Sequence, residues 1–193
     1  MVTSCLLCGV GGQGTVLASK LIAASAMEKG LFVRTAETIG MAQRGGCVVS
    51  HVRFGDKVSS SMIPEGGADV IIAFEPAEAV RNLRYLKKGG TVVVNKKAVI
   101  PITAALGGSS YTGDEMLRYL EENTGRLIVA DNDKICDECG SPKVLNVALL
   151  AYAAKSGALG ITVEELKNAV LTRVPEKFHK LNIKAIEFAS QAI

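Results

Sequence analysis

Leu6-Leu7-Cys8-Gly9-Val10-Gly11-Gly12-Gln13-Gly14, followed by an Ala-rich stretch running to about Lys29, reads as a strand, a tight turn and a helix N-terminus. Gly9, Gly11 and Gly14 stand in a G-x-G-x-x-G frame. Such a turn gathers backbone N–H groups and the positive end of a helix dipole at one point. It can hold a phosphate or a carboxylate, or let another protein approach the main chain. It can also serve only to pack the helix closely on the strand.

Outward from this motif, strand and helix signals alternate. The first strand is expected over 3–8, and its helix ends before Gly30, a residue suited to the C′ position. Leu17, Leu21 and Ala24 share one face of that helix. Further strands are expected over 32–36, 69–74, 91–95 and 126–130, with helices from Pro76 to Leu86 and from Asp114 to Glu122. The run Val70-Ile71-Ile72-Ala73 suits a parallel strand covered on both faces. Cys47–Phe54, the turn Gly55-Asp56 and Lys57–Met62 read as a β-hairpin insertion.

From Pro142 the period is helical. Val144, Leu145, Ala148, Leu149 and Tyr152 form an apolar face that is core and in part subunit interface. Thr162-Val163-Glu164-Glu165 has capping-box form, and Pro175 opens a last helix carrying Leu181, Ile183, Ile186 and Phe188. The expected fold is a three-layer, Rossmann-like α/β domain with a mainly parallel sheet, a hairpin insertion and a helical C-terminal extension. It is one domain over 1–193, with an α/β core over 1–131 and the helical part over 132–193.

Composition narrows the function. The 193 residues carry 22 basic and 19 acidic side chains, for a net charge of +3, with aromatics at 5% and no Trp. Neither a basic block nor stacking aromatics are available for nucleic acid. No run of eighteen apolar residues or secretory leader pattern occurs, so a soluble, cytoplasmic chain without membrane contact is expected. Five Cys do not suggest a disulfide framework.

A second glycine-bearing segment, Glu37-Thr38-Ile39-Gly40-Met41-Ala42-Gln43-Arg44-Gly45-Gly46, follows the second strand without a regular period. It should lie at the carboxyl edge of the sheet beside the first turn, where ligands of open α/β sheets bind. Gln43 and Arg44 supply donors there. Glu37 also stands roughly where a dinucleotide-binding fold places its ribose-binding acid, which keeps an autonomous NAD(P)- or FAD-dependent oxidoreductase as the alternative.

The two segments together, with Ser141-Pro142-Lys143-Val144-Leu145-Asn146 and Val174-Pro175-Glu176-Lys177 followed by Leu181-Asn182, resemble the gamma-type subunit or domain of the 2-oxoacid:ferredoxin oxidoreductases. Within that family the chain is most similar to the small subunit of the indolepyruvate branch. The resemblance implies oxidative decarboxylation of a 2-oxoacid, here an aryl pyruvate, with acyl transfer to coenzyme A and electrons passed to ferredoxin. It also implies partners: thiamine diphosphate, Mg²⁺ and [4Fe–4S] clusters sit on larger subunits, and this chain is not active alone. The chain has no C-x-x-C-x-x-C-x-x-x-C-P cluster run, which agrees with that division. The positions assigned to contact with coenzyme A or a partner are Gly9, Gly11, Gly12, Gln13, Gly14, Gln43, Arg44, Gly45 and Gly46; none is assigned to catalysis or metal binding.

Other residues compete for attention. Cys5/Cys8 and Cys136/Cys139 form two C-x-x-C pairs, but strand residues three apart face opposite ways, which argues against a four-thiolate zinc site. A redox pair at Cys136 and Cys139 stays open. His51 and His179 lack triad-like neighbours in the sequence. Asp131 and Asp133 are expected to cap a following helix, although a ribose or a metal is also conceivable for them. Lys177, Lys180 and Lys184 recur at helical spacing, as on a solvated face or one meeting an acidic partner or a coenzyme phosphate.

Overall fold

The computed structural model describes residues 1–38, 46–100 and 111–192. Six strands form one sheet: β1 (Val2–Val10), β2 (Phe32–Glu37), β3 (Cys47–Gly55), β4 (Ala68–Ala73), β5 (Leu86–Asn95) and β6 (Arg126–Ala130). Their order is β2-β3-β1-β4-β5-β6. β1, β4, β5 and β6 pair in parallel, whereas β3 runs antiparallel to both of its neighbours, β1 and β2.

The helices are α1 (Thr15–Glu28), α2 (Pro76–Asn82), α3 (Asp114–Asn123), α4 (Asn132–Cys139), α5 (Leu145–Lys155), α6 (Val163–Arg173) and α7 (His179–Gln191). Alternation along β1 sends Cys5 and Leu7 to one face and Leu6 and Cys8 to the other. On the first face they meet Leu21 and Ile22 of α1, Leu149 and Leu150 of α5, Val170 of α6 and Ile186 of α7. On the second they meet Ala79 of α2 and Leu120 of α3. The three layers expected from the sequence are present.

Two expectations change. The hairpin does not form as read: Lys57–Met62 makes no strand. The Arg53 guanidinium instead holds that segment, donating to the carbonyls of Ser60 and Met62 at 3.1 Å each. Val58 and Ile63 are buried around it. β3 finds its ladder partners in β1 and β2, so it is inserted within the sheet itself. The expected C-terminal helical extension is present, and it completes the apolar layer over α1 and the sheet. Finally, α5 is buried from Asn146 through Tyr152 to Ala154 on every side, as an apolar helix at the centre of a core should be. Only its ends, half-buried Leu145 and exposed Lys155, stay accessible for a subunit interface.

The capping box at α6 is present as expected. Thr162 Oγ1 accepts the Glu165 N–H at 3.2 Å, and Glu165 Oε2 accepts the Thr162 N–H at 2.8 Å. Lys29, just past α1, joins it by pairing with Glu165 and donating to the Gly160 carbonyl at 3.0 Å. This cluster, with the Lys29 charge, holds the Glu165 carboxyl below its ordinary range. The end of α1 is thereby tied to the start of α6.

Candidate functional site at the carboxyl rim of the sheet

The helix after β1 lies on one face of the sheet and the helix after β4 on the other, so the chain diverges between these two neighbouring strands. Open α/β sheets form their ligand crevice at such a point. The glycine turn sits on it.

Most polar groups of the turn face inward. Gln13 folds back: its Oε1 accepts the Val10 N–H at 2.7 Å, and its Nε2 donates to the Phe74 carbonyl at 3.1 Å. Asn95, at the end of β5, donates to the same carbonyl at 3.2 Å. Phe74 O therefore links the turn to the ends of two further strands. The Gln13 N–H donates to Val10 O at 3.2 Å, and the Gly11 N–H donates to Gly46 O at 2.9 Å. That last bond carries the most information, because it joins the two glycine segments at one rim. Gln43, Arg44 and Gly45 lie outside the described residues.

The glycines have different tasks. A Cβ on Gly9 would lie 2.8 Å from the Phe74 Cβ and 2.7 Å from Gln13 Oε1, so Gly9 permits close packing. Gly14, at φ 85°, precedes α1, and a Cβ there would lie 2.7 Å from Asn146 Nδ2. Gly12, at φ 95°, is exposed and faces open space. Among the described residues the N–H groups of Gly12 and Gly14 have no acceptor. With the first turn of α1, they form a cradle suited to an anionic group.

β3 decides against the dinucleotide alternative. It separates β2 from β1, placing Glu37 about 10 Å to the side of the glycine turn at ordinary strand spacing. The Glu37 carboxylate accepts the Ser19 hydroxyl of α1 at 2.9 Å. It is occupied in holding β2 to the helix, away from the place a ribose next to the turn would take.

Two buried carboxylates beside the turn escaped the sequence reading. Glu75 caps α2, accepting the Glu78 N–H at 3.0 Å, and also accepts the Tyr111 hydroxyl at 2.6 Å. Burial and the Glu75 charge push the Tyr111 hydroxyl well above its usual range. Glu78 Oε1 lies 3.5 Å from the Arg81 guanidinium, and the Glu78 side chain also meets the Cys47 thiol. Burial, then Glu78, raises the Cys47 thiol to about 11. A Pro after Glu75 was the available signal, since an acid followed by Pro marks a helix start.

The remaining candidates resolve into structure. Cys5 and Cys8 face opposite cores, as strand geometry requires. His51 Nδ1 accepts the Ile63 N–H at 3.3 Å, and the His51 ring stands edge-on to Tyr85. Asp131 precedes α4 but makes no side-chain cap; it pairs with Lys134, and Asp133 pairs with Lys97 at 2.9 Å. The lysine stripe is not one face: Lys177 lies in a 3₁₀ turn before α7, and Lys184 donates to the Glu138 carbonyl. Among the described residues no helix is long and apolar enough to cross a membrane.

The family model for pyruvate ferredoxin/flavodoxin oxidoreductase matches residues 4–192. The chain belongs to this family. It is 39% identical over 189 residues to the indolepyruvate oxidoreductase subunit IorB of Thermococcus kodakarensis, covering 97% of this chain and 94% of that one. Its fold is similar to the gamma subunit of a keto/oxoacid ferredoxin oxidoreductase from Geobacter sulfurreducens, at TM-score 0.71 and 24% identity, covering 98% and 96% of the two chains. It is also similar to part of the 2-oxoglutarate:ferredoxin oxidoreductase of Magnetococcus marinus, solved with 2-oxoglutarate, coenzyme A and succinyl-CoA bound. There the TM-score is 0.72 at 19% identity, over all of this chain and 31% of that one. By its match along nearly the whole length of its relatives, the chain is an oxidoreductase subunit of this family.

Proposed function

We propose that this chain is the small subunit of a cytoplasmic, thiamine-diphosphate-dependent 2-oxoacid:ferredoxin oxidoreductase acting on an aryl pyruvate such as indolepyruvate. It completes and covers an active site whose thiamine diphosphate, Mg²⁺ and [4Fe–4S] clusters are held by larger subunits, which pass electrons to ferredoxin. The cradle at Gly12, Gly14 and the first turn of α1 meets an anionic part of coenzyme A or a partner loop, and Arg44, outside the described residues, supplies a cation for the same group. The observation that supports this reading is the Gly11–Gly46 bond, which joins the two glycine segments beside Gly12 and Gly14 N–H groups that have no acceptor among the described residues. A helix N-terminus favours an anion by about 0.3–1 kcal/mol, enough to orient a group that other subunits help to hold.

The test is reconstitution with the larger thiamine- and cluster-carrying subunit, followed by indolepyruvate- and coenzyme A-dependent reduction of ferredoxin. Turnover is expected from the complex and not from either part alone. Saturable NADH binding by the isolated chain, or full activity without it, overturns the proposal. Gly12→Asp sharpens the test: the site is open, Asp tolerates a positive φ better than most residues, and the new charge occupies the cradle. A raised KM for coenzyme A is expected, with an unfolding midpoint no lower than that of Gly12→Ala, which bears the same backbone penalty without the charge.

A further inference from the structure

Next to the first turn of α1 a cavity of about 410 Å³ opens between the 141–144 segment, the end of α6 and the start of α7. Its size is that of a small-molecule site. Leu17, Val144, Val174, Phe178 and Leu181 give it apolar walls, and Leu17 and Phe178 stay about a third exposed at 36% and 37% although both are large apolar residues. Leu17, spaced to share a helix face with Leu21, lines this cavity.

The charges around it are one-sided. Lys143 and Arg173 line the cavity, and among the described residues no carboxylate does. Neither cation has an ion-pair partner among the described residues. Lys177 adds a third charge, its ammonium 5.0 Å from the centre of the Phe178 ring. The neighbouring cavity at the end of β5 differs, for its Lys97 is already matched by Asp133. An apolar chamber carrying unmatched cations calls for a ligand with an apolar body and an anionic head. A guanidinium is well shaped for a carboxylate, which it can grip with two parallel N–H groups.

We propose that this cavity is a binding site for an aromatic carboxylate, with the ring among Val144, Val174 and Phe178 and the carboxylate at Lys143 and Arg173. The site is separate from the glycine cradle and is argued from its own walls and charges, so it stands or falls independently of the subunit role proposed above.

The experiment follows backbone amide resonances of the full chain during titration with indole-3-acetate, its neutral counterpart indole-3-acetamide, and inorganic phosphate. Saturable shifts are expected at Val144, Val174, Phe178 and Leu181 with indole-3-acetate, several-fold weaker binding of the amide, and no saturable effect of phosphate there. Arg173→Gln and Lys143→Gln should each weaken indole-3-acetate several-fold; both residues are exposed, so the unfolding midpoint should hold. Absence of saturable shifts overturns the proposal, as do equal affinities for acid and amide, or shifts gathered at residues 11–14. A chain that ignores indole-3-acetate but loses its larger subunit on Arg173→Glu also overturns it, assigning the cavity to subunit contact.

Discussion

The glycine turn and the cavity beside it are separated by a single turn of α1 and use their polar groups in opposite ways. In the turn, Gln13, the Gly11 N–H and the Val10 N–H all bond within the chain, and the Gly12 and Gly14 N–H groups have no acceptor among the described residues. In the cavity, the fixed groups are apolar and the charged ones have no partner among the described residues. A motif rich in glycine is therefore largely a device for shaping main chain here, while side chains able to grip a ligand stand next door, where no motif announces them.

The sharpest way to break this contrast is to load the turn. Gly14→Val combines a left-handed φ with a Cβ against Asn146, and should cost about 3 kcal/mol in urea unfolding; a midpoint like that of the parent would mean the turn is not packed as described. Gln13→Leu comes next, at about 2 kcal/mol, since it leaves the Val10 N–H and the Phe74 carbonyl each short of a partner. Gly12→Ala has only the backbone penalty to bear, about 1 kcal/mol, because its Cβ meets nothing. Should Gly12→Ala prove as harmful as Gly14→Val, the distinction between packed and open glycines fails.

A smaller effect is set by pH. Burial lowers the His51 pKa in the folded chain, so the unfolded chain binds the extra proton more readily. The stability that neutral His51 gives is therefore present above about pH 6.5 and is lost as the pH falls through the lower folded value. Urea midpoints between pH 7.5 and pH 5 should drop less for His51→Asn, whose amide oxygen can still accept the Ile63 N–H, than for the parent. Least of all, Arg173→Gln should change stability by under about 0.5 kcal/mol, in keeping with an exposed cation that has no ion-pair partner among the described residues.

Local chemistry was legible in the sequence. The strand at 126–130 falls within the bounds read for it, and the capping box at Thr162 needs only four consecutive residues to be recognised. The place of β3 was not legible, because an antiparallel strand between β1 and β2 is fixed by ladders to residues far along the chain. Lys57–Met62 misled for a related reason: extended backbone held by one guanidinium looks in sequence like backbone held by a ladder. At the site, the turn could be read because its glycines are contiguous. The cavity could not, since Leu17, Lys143, Arg173 and Phe178 meet only when α1, α6 and α7 pack together.

The union of the C-terminal helices with α1 has a bearing on how the polypeptide comes to exist. During synthesis, β1 to β6 can all leave the ribosome while Leu21 and Ile22 still lack the cover that α5, α6 and α7 bring. Until about the last fifty residues have emerged, the nascent half carries a greasy flank open to water and to its neighbours on the polysome. The last-made helices thus act as the closing lid on a molecule whose recognisable motif was translated first.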